Sequence, residues 1–594
     1  MKIAQFVTSI AAVACGVMLL RCGSSQRNSG FDDPSAAPDG GEAGVSVFGE
    51  AGGPDAASKV CSADLQKVLD PSGVVVATCP PDQGCASGAC VPACMAAAAS
   101  KGSLGCNYVV ATPSFDITQN MSILPPCFAV FLANGWGKPA QITAQYNGNA
   151  YDVTKFARVP TAGQPESAWP TLTAAGLPAG GVAVLFLSSD PASANGTPLT
   201  CPVAPAINAA TAIRGTGRGK AWRISSDVPV TAYDILPYGG AKSYLPSAEL
   251  LFPVTSWGTN YVTVVPPVSY RNNGPFWGQI TAGEDNTKVE LLPSVNLPAG
   301  SGVVAAPKNT KTSYTLMAGE YVQFQTGEDL SGSIIASDKP VSFTGGNGYM
   351  CYQSATSSGG GCDGGHQFIP PVTSLGSEYV AAPYKSRRTS GAAESISYRL
   401  LGIVAGTTLT YDPPVAGAPT SLDVGVAPIF ETPLAFRVKS QDAKHPFYVA
   451  QIMSGSGVTG GGGSLGDEEY VNLPPPAQFL KKYVFFTDPS YPTTTLSLTR
   501  TKTSSGFMDV NIACLGNVTG WTDVGSDGRF QTANVDLVRG GTGVSTCKNG
   551  AQTASSDGSF GIMVWGLSTD ASYAYPAGGN AAPINEVIVP AVPK

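Results

Sequence analysis

Charged side chains are scarce in this 594-residue chain. Asp, Glu, Lys and Arg make up 13% of it, about half of the roughly 25% that is usual in soluble globular proteins. The formal net charge is −7, and no segment concentrates Lys and Arg into a basic stripe. Because nucleic-acid binding needs such a stripe to neutralise phosphates, we expect no nucleic-acid partner.

Histidine is scarcer still. The chain has two, His366 after two glycines and His445 before a proline, and we interpret both as ordinary loop residues. A Gly-x-Ser-x-Gly pattern at 462–466 lies in a run of glycines, without the strand and helix that aim the serine of a nucleophile elbow. The sequence therefore predicts no catalytic residue and a protein that is not an enzyme.

Spaced metal-binding motifs are also missing. The acidic groups at 284–285, 363 and 467–469 could offer oxygen ligands to Ca²⁺, but none has EF-hand spacing. We interpret them as solvated turns, so no metal-binding or cofactor-binding residue is predicted and Ca²⁺ stays an unsupported alternative. A pair of catalytic carboxylates from distant positions, as glycosidases use, is left open.

Only one long apolar run is present, and it lies at the start of the chain. Lys2 precedes the apolar stretch 3–20, and Cys22 opens a polar segment. Residues 1–22 resemble a bacterial lipoprotein signal, although Arg21 stands where a small residue is usual. We predict export and lipidation at Cys22, with an uncleaved membrane anchor as the alternative. No later run reaches the roughly 18 apolar residues of a membrane span, so membrane contact is predicted through the lipid anchor alone.

The segment 23–60 has few large apolar side chains and is rich in Gly, Ala, Ser, Pro and Asp. Such a composition cannot offset the entropy of ordering, so it predicts a disordered tether that holds the rest of the protein away from a membrane surface. The protein is accordingly expected at the cell surface, anchored in the outer membrane, or outside the cell.

Cysteine, in contrast, is plentiful. Six cysteines between 61 and 106 predict a disulfide-stapled mini-module, and the sequence cannot choose among their pairings. Zinc is the alternative, but this cluster contains no histidine. Six further cysteines fall into three plausible pairs, so none need be a free thiol. The disulfide candidates are Cys61, Cys79, Cys85, Cys90, Cys94 and Cys106 in the module, and then Cys127 with Cys201, Cys351 with Cys362, and Cys514 with Cys547.

Two short phrases alternate four times along the chain. One is a Tyr-Val phrase, and the other is a Ser-Asp phrase whose Asp positions lie roughly 110 residues apart. The alternation indicates four copies of one unit in a domain from 107 to 594. The phrases begin at Tyr108, Tyr261, Tyr379 and Tyr483, and they contain Asp227, Asp338, Asp442 and Asp557.

Each copy has the pattern of about eight short antiparallel strands. Apolar and polar residues alternate on both sides of Asp285-Asn286, as in a hairpin. Ser337–Pro340 is predicted as a second hairpin turn, because Asp and Pro favour turns. The predicted fold is therefore all-β, with four repeated antiparallel units. We favour a β-propeller-like ring, with tandem β-sandwiches as the alternative.

The segment around the second Ser-Asp phrase carries the most specific similarity. It reads GSIIASDKPVSFTGGN over 332–347, followed by Cys351, by Cys-Asp at 362–363 and by PPVTSLGSEYV over 370–380. This order of motifs resembles the N-terminal domain of the IgGFc-binding protein family.

Further segments extend the resemblance to roughly 200–590. Residues 252–262 and 560–578 are similar to other motifs of the family, while Leu375 and Gln552 stand where the family often has Trp and His. The resemblance implies a secreted or surface, non-catalytic binding or adhesion module, without implying that it binds antibodies.

We therefore expect a cell-surface or secreted protein whose loops contact an extracellular protein or glycan. Long inserts at 190–220, 345–368 and 454–470 are predicted to cluster on one face, as binding loops on a rigid scaffold commonly do. Two alternatives stay open, namely a secreted carbohydrate-active enzyme on a propeller-type scaffold and a purely structural envelope protein.

Overall fold

The structure of the chain is a computed structural model. The residues it describes are 59–116, 126–161, 163–193, 199–243, 245–271, 274–460 and 464–593. The predicted signal segment with Cys22, and the tether up to residue 58, lie outside the described residues. Within the described ranges, no helix combines the length and the apolar character needed to cross a membrane.

The cysteine-rich module is a small, disulfide-bonded structure at the start of the described chain. It contains the strands β1 (Val60–Cys61), β2 (Lys67–Leu69) and β3 (Val75–Thr78), the hairpin β4 (Gln83–Ala86) and β5 (Ala89–Pro92), and the helix α1 (Ala93–Ser100). Its apolar core is small, so cross-links do much of the stabilising. The structure joins Cys61 to Cys85, Cys79 to Cys90 and Cys94 to Cys106.

Four sheet-forming units follow the module. Unit 1 contains β6 (Leu104–Val110), β7 (Phe128–Ala133), β8 (Ile142–Tyr146), β9 (Asn149–Tyr151), α2 (Val153–Phe156), β10 (Ala157–Arg158), β11 (Val182–Ser188), β12 (Gly217–Lys220), β13 (Trp222–Leu236) and β14 (Ser247–Leu251). Unit 2 contains β15 (Gly258–Val262), β16 (Phe276–Ala282), β17 (Thr287–Leu292), β18 (Thr312–Leu316), β19 (Glu320–Thr326), β20 (Ile334–Met350) and β21 (Asp363–Ile369). Strand β12 pairs with β19 and so joins the sheet of unit 2.

Units 3 and 4 repeat this order of strands. Unit 3 contains β22 (Glu378–Ala381), β23 (Ile396–Gly402), β24 (Thr407–Asp412), β25 (Ser421–Leu422), β26 (Ile429–Thr432), β27 (Phe436–Ser440), β28 (Phe447–Met453) and β29 (Glu469–Asn472). Unit 4 contains β30 (Leu480–Thr487), β31 (Thr493–Thr501), β32 (Val510–Ile512), β33 (Gly516–Asn517), β34 (Thr522–Val524), β35 (Phe530–Arg539), β36 (Thr542–Gly543), β37 (Gly550–Ser568) and β38 (Ala571–Pro576). Short 3₁₀ turns occupy Glu166–Ala168, Gly240–Lys242, Val254–Ser256, Val372–Ser374 and Pro476–Gln478. The prediction of an all-β fold built from repeated antiparallel units is confirmed.

A long bent strand organises units 1, 2 and 4. Strands β13, β20 and β37 each pair along their length with strands from both halves of their unit. In unit 3 this strand is interrupted between β27 and β28, and the unit splits into two four-stranded sheets that share one core. The four units are thus folded sheets, as in the sandwich alternative.

The Ser-Asp phrases mark the bend of the long strand. The prediction that Ser337–Pro340 is a hairpin turn was wrong, because these residues lie inside β20, where the ladder with β15 shifts register. The Asp carboxylate holds the bend to a neighbouring strand: Asp338 accepts the backbone N–H of Lys288 at 2.8 Å. A bulged strand keeps its direction, whereas a turn reverses it, and local sequence does not distinguish the two.

The Tyr-Val phrases lie against these bends. In each unit the tyrosine hydroxyl donates to a carbonyl of the bent strand or, in unit 3, of β28. In units 2, 3 and 4 it also accepts the backbone N–H three residues before it. In unit 2, Gly258 N–H donates to the Tyr261 hydroxyl at 2.9 Å, and that hydroxyl donates to Val341 O at 2.6 Å. We call Tyr108, Tyr261, Tyr379 and Tyr483 the corner tyrosines; the carbonyls that accept their hydroxyl protons belong to Val230, Val341, Phe447 and Phe560.

The last strands of the four units meet around a common axis. Strand β14 contacts β21 and β38, and β29 contacts the same two strands, so the contacts close a ring. We call these four the axial strands. The start of unit 1 and the segment after β38 join the closure, since Ser103 N–H donates to Gly579 O at 2.8 Å. The ring that the sequence predicted is formed, and its members are folded sheets.

Candidate functional site

Two of the predicted inserts lead into axial strands. Half of the insert 345–368 is strand, because 345–350 end β20 and 363–368 belong to β21. Its loop is 351–362, closed by a disulfide between Cys351 and Cys362 with a Cα–Cα distance of 4.6 Å. The insert 454–470 forms the loop that enters β29.

These two loops contact each other. Ser358 N–H donates to Gly457 O at 3.0 Å, and Gly457 N–H donates to Gly359 O at 2.8 Å. A Cβ on Gly457 would lie 2.0 Å from Gly359 O, so glycine is required for the close approach. We call residues 351–362, 386–393 and 454–460 the loop layer.

A buried ion pair fixes the third segment of the loop layer. The guanidinium of Arg387 and the carboxylate of Glu394 are fully buried, with Arg387 Nη2 2.8 Å from Glu394 Oε1. The same nitrogen donates to Ser454 O at 2.8 Å. Arg388 Nε donates to Thr459 O, also at 2.8 Å. The two arginines therefore tie the loops of 386–393 and 454–460 together.

The outer surface of the loop layer consists of small or uncharged side chains, apart from the half-buried Arg388. Its exposed residues offer hydroxyl, amide and backbone groups for hydrogen bonding, which suits recognition of a protein or glycan surface. They are Gln353, Ala355, Ser358, Gly361, Thr389, Ser390, Gly391, Ala392, Ala393, Thr459 and Gly460.

The third predicted insert, 190–220, is not part of the loop layer. Its residues 217–220 form β12 on the sheet of unit 2, and Thr211 bonds Thr112 and Ser188 inside unit 1. Only two of the three inserts cluster as predicted. The serine pattern at 462–466 lies partly outside the described residues, since 461–463 are not among them.

Acidic side chains support the loop layer from beneath. Asp467 accepts the N–H of Cys362 at 3.2 Å and that of Ser456 at 3.0 Å. Glu468 accepts the N–H of Tyr352 at 2.9 Å. The interpretation of 363 and 467–469 as solvated turns was wrong, because all four carboxyls are buried. The turn at 284–285, in contrast, is exposed or half-exposed as expected.

Burial raises the pKa of three of these carboxyls, Asp363, Glu468 and Glu469. Desolvation raises the pKa of Asp363 well above its usual range, and the neighbouring carboxyls, Asp467 first, raise it further. Desolvation likewise raises the pKa of Glu468 and Glu469 well above the usual range. The neutral forms of Asp363, Glu468 and Glu469 are therefore favoured.

A second cluster lies deeper along the axial strands, and it contains a histidine. His366 lies in β21 and is 3% exposed, so its interpretation as a loop residue was wrong. Its Nε2 is 2.9 Å from Asp234 Oδ1, and Glu249 completes a group whose ligand atoms lie within 4.8 Å of one another. These three residues could hold a metal ion. His445 lies in a surface turn and contacts Asp442 at 2.8 Å.

The sequence contained a weak signal for this cluster. Asp234 interrupts the otherwise uncharged, largely apolar stretch 228–236, and a lone charge in a buried strand needs a partner. Its partners come from β14 and β21, the second of which begins more than a hundred residues later. Local spacing therefore could not identify them.

The three disulfides outside the module lie within units 1, 2 and 4. The structure joins Cys127 to Cys201 and Cys514 to Cys547, as well as Cys351 to Cys362. All twelve cysteines after Cys22 are therefore paired in the structure.

Comparison with known protein families gives a match. The model of the family described as IgGFc binding protein matches residues 247–566, from the first axial strand to the bent strand of unit 4 and over more than half of the chain. Among curated proteins, no significant match is found.

Proposed function

Because this chain belongs to the IgGFc-binding protein family, we propose that it is a non-catalytic binding or adhesion protein that contacts an extracellular partner through the loop layer. Family membership and six disulfides indicate an extracellular binding protein.

The contact between the two loops carries the proposal. Loops 351–362 and 454–460 come from different units, yet their backbones bond to each other and rest on buried carboxyls. Loops fixed in this way lose little conformational entropy when a ligand binds. Since the exposed residues of the layer carry no charge, we expect an affinity that depends weakly on salt.

The partner is proposed to be an extracellular protein, with a glycan as the alternative. The test is an array of extracellular proteins, including immunoglobulin Fc, and of glycans, probed with the chain lacking residues 1–22. Ala355→Arg places a long charged side chain on an exposed position of the loop layer. Ala305→Arg is the matched control, because Ala305 is an exposed alanine outside the layer.

We expect the arrayed ligand to bind the wild type and Ala305→Arg equally and to bind Ala355→Arg at least tenfold more weakly. Melting temperatures should stay equal among the three proteins. Equal binding by all three would place the site elsewhere. Turnover of an arrayed glycan would favour the carbohydrate-active enzyme, and a chain that binds nothing would favour a structural envelope role.

Anchoring is proposed to occur through a lipid on Cys22, after removal of the signal segment. A tether of about forty residues could then extend the loop layer away from the membrane. Replacing Cys22 with Ser should move the protein from the membrane fraction to the soluble fraction, because stable retention requires acyl chains. Unchanged membrane association, or a mass that shows cleavage elsewhere, would contradict the anchor.

A further inference from the structure

We propose that Asp234, Glu249 and His366 bind one divalent transition-metal ion of the Zn²⁺ class. The proposal does not depend on the loop layer or on the identity of the extracellular ligand.

The backbone brings the three side chains together. Asp234 in β13 and Glu249 in β14 are direct cross-strand partners, and His366 comes from β21 of the next unit. Asp234 is 0% exposed, and the other two are 3% exposed. The ligand atoms lie within 4.8 Å of one another, and two ligands of one tetrahedral zinc ion with bonds of about 2.1 Å lie roughly 3.4 Å apart. A small side-chain adjustment would close the site.

The cluster places two carboxyls directly opposite each other beside one imidazole. Like charges directly opposite each other across a ladder destabilise a sheet. In the described part of the chain, neither Asp234 nor Glu249 forms an ion pair with Lys or Arg. A hydrogen bond, for which one proton is needed, joins the Asp234 and Glu249 carboxyls; apart from it, Asp234 Oδ2 and Glu249 Oε2 are buried without a partner. Buried charges in proteins are paired or coordinate metals, and one divalent ion would neutralise both carboxylates.

The donor set selects the class of metal. An imidazole nitrogen with two carboxylate oxygens suits Zn²⁺ and similar first-row ions, whereas Ca²⁺ takes six to eight oxygen ligands. Outer contacts would orient the ligands: the Glu249 carboxyl accepts a hydrogen bond from the backbone of Phe368, and the His366 backbone N–H donates to Ser247 Oγ at 3.1 Å. Because the ligands belong to units 1 and 2, the ion would join two members of the ring.

The test measures metal content and melting temperature in the wild-type chain and in four variants. Glu249→Gln and His366→Gln each remove one ligand at similar size. Glu469→Gln is the matched control, because Glu469 is a buried carboxyl on another axial strand outside the triad. His445→Ala tests the only other histidine of the chain.

After equilibration with Zn²⁺ and removal of the excess, we expect about one Zn²⁺ per chain in the wild type, in Glu469→Gln and in His445→Ala. Glu249→Gln and His366→Gln should retain less than a fifth of that. Zn²⁺ should raise the melting temperature of the wild type by several degrees, and a chelator should reverse the rise. In chelator, Glu249→Gln should melt no lower than the wild type, because it lacks a buried charge, and this order should reverse in Zn²⁺.

A wild type that binds no stoichiometric Zn²⁺ and shows no shift in melting temperature would overturn the proposal, and a proton shared between Asp234 and Glu249 would then account for the pair. Equal Zn²⁺ content in Glu249→Gln and the wild type would overturn it too, as would loss of Zn²⁺ in His445→Ala. A preference for Ca²⁺ would overturn the metal class. If both ligand variants fail to fold, Co²⁺ loading of the wild type decides: visible d–d absorption supports the site, and its absence refutes it.

Discussion

The corner tyrosines offer the sharpest test of how the repeated units are stabilised. Replacing Tyr261 with Phe keeps the buried ring and removes only the hydroxyl. Two hydrogen bonds are lost, from Gly258 N–H at 2.9 Å and to Val341 O at 2.6 Å. The net contribution of one hydrogen bond to the free energy of unfolding is about 0.5–1.5 kcal/mol, and a buried polar group left without a partner lowers stability by more. We expect the free energy of unfolding to fall by about 2–4 kcal/mol.

The size of the melting shift also reports whether the ring unfolds as one body. With an unfolding entropy of about 2.1 cal/mol/K per residue, a loss of about 3 kcal/mol lowers the melting temperature by about 3 °C if roughly 500 residues unfold together. The same loss lowers it by about 13 °C if unit 2, with roughly 110 residues, melts alone. The shared cores predict the smaller shift, since Tyr448 and Ile452 of unit 3 pack in the core of unit 2.

Differential scanning calorimetry measures both the shift and the number of transitions. Tyr411→Phe is the control, because the half-buried Tyr411 makes one bond, to Pro419 O at 2.8 Å; we expect a loss of at most about 1 kcal/mol. The argument is refuted if Tyr261→Phe is no worse than Tyr411→Phe. A separate early transition confined to the Tyr261 variant would contradict the cooperative ring.

Three further predictions concern buried charge, protonation and a disulfide. Glu394→Gln leaves Arg387 buried without its partner and should lower the free energy of unfolding, measured by urea titration, by about 3–5 kcal/mol. Lys311→Ala, which breaks the exposed pair with Glu290, should lower it by less than about 1 kcal/mol. Equal losses in the two variants would contradict the argument. Desolvation raises the pKa of Asp488 to about 6 in the folded protein from 3.8, so its contribution to stability is full below about pH 4 and is lost as the pH rises to about 6. Between about pH 4 and pH 6 the free energy of unfolding should therefore decrease by about 3 kcal/mol less in Asp488→Asn than in the wild type. The same pH profile in both proteins would show that Asp488 does not cause the decrease. Replacing Cys351 and Cys362 with Ser should cost about 3 kcal/mol, and a non-reducing peptide map of the wild type that links either cysteine to another partner would refute the pairing.

Much of the fold could be predicted from the sequence because the two repeated phrases are recognisable in it. The Tyr-Val and Ser-Asp phrases recur since every unit needs the same contact between a corner tyrosine and a bent strand. The local conformation of Ser337–Pro340 could not be predicted, because a bulge and a turn use the same residues. What decides between them is pairing with Gly258 and Lys288, which are distant in sequence.

The candidate sites were harder to predict, for a related reason. His366 stands after two glycines, which suggests a loop, yet Gly365 and His366 pair with Asn347 and Gly346 in a ladder. A Cβ on Gly346 would lie 2.2 Å from the Trp277 ring, so this glycine gives room to a buried aromatic and does not mark a turn. Burial of the acidic residues at 467–469 likewise depends on closure of the ring, and no local sequence pattern indicates that closure.

Closure also explains why two inserts from separate units meet. In each unit a loop leads into the axial strand. The starts of neighbouring axial strands lie close together, since Ser572 of β38 exchanges hydrogen bonds with Asp467, just before β29. A loop lengthened at this position in any unit must therefore emerge at the same end of the axis. The chain lengthens it in units 2 and 3, which are neighbours in the ring, and places buried carboxyls beneath the junction. The interlocked loop pair is thus a consequence of fourfold repetition combined with where the insertions fall.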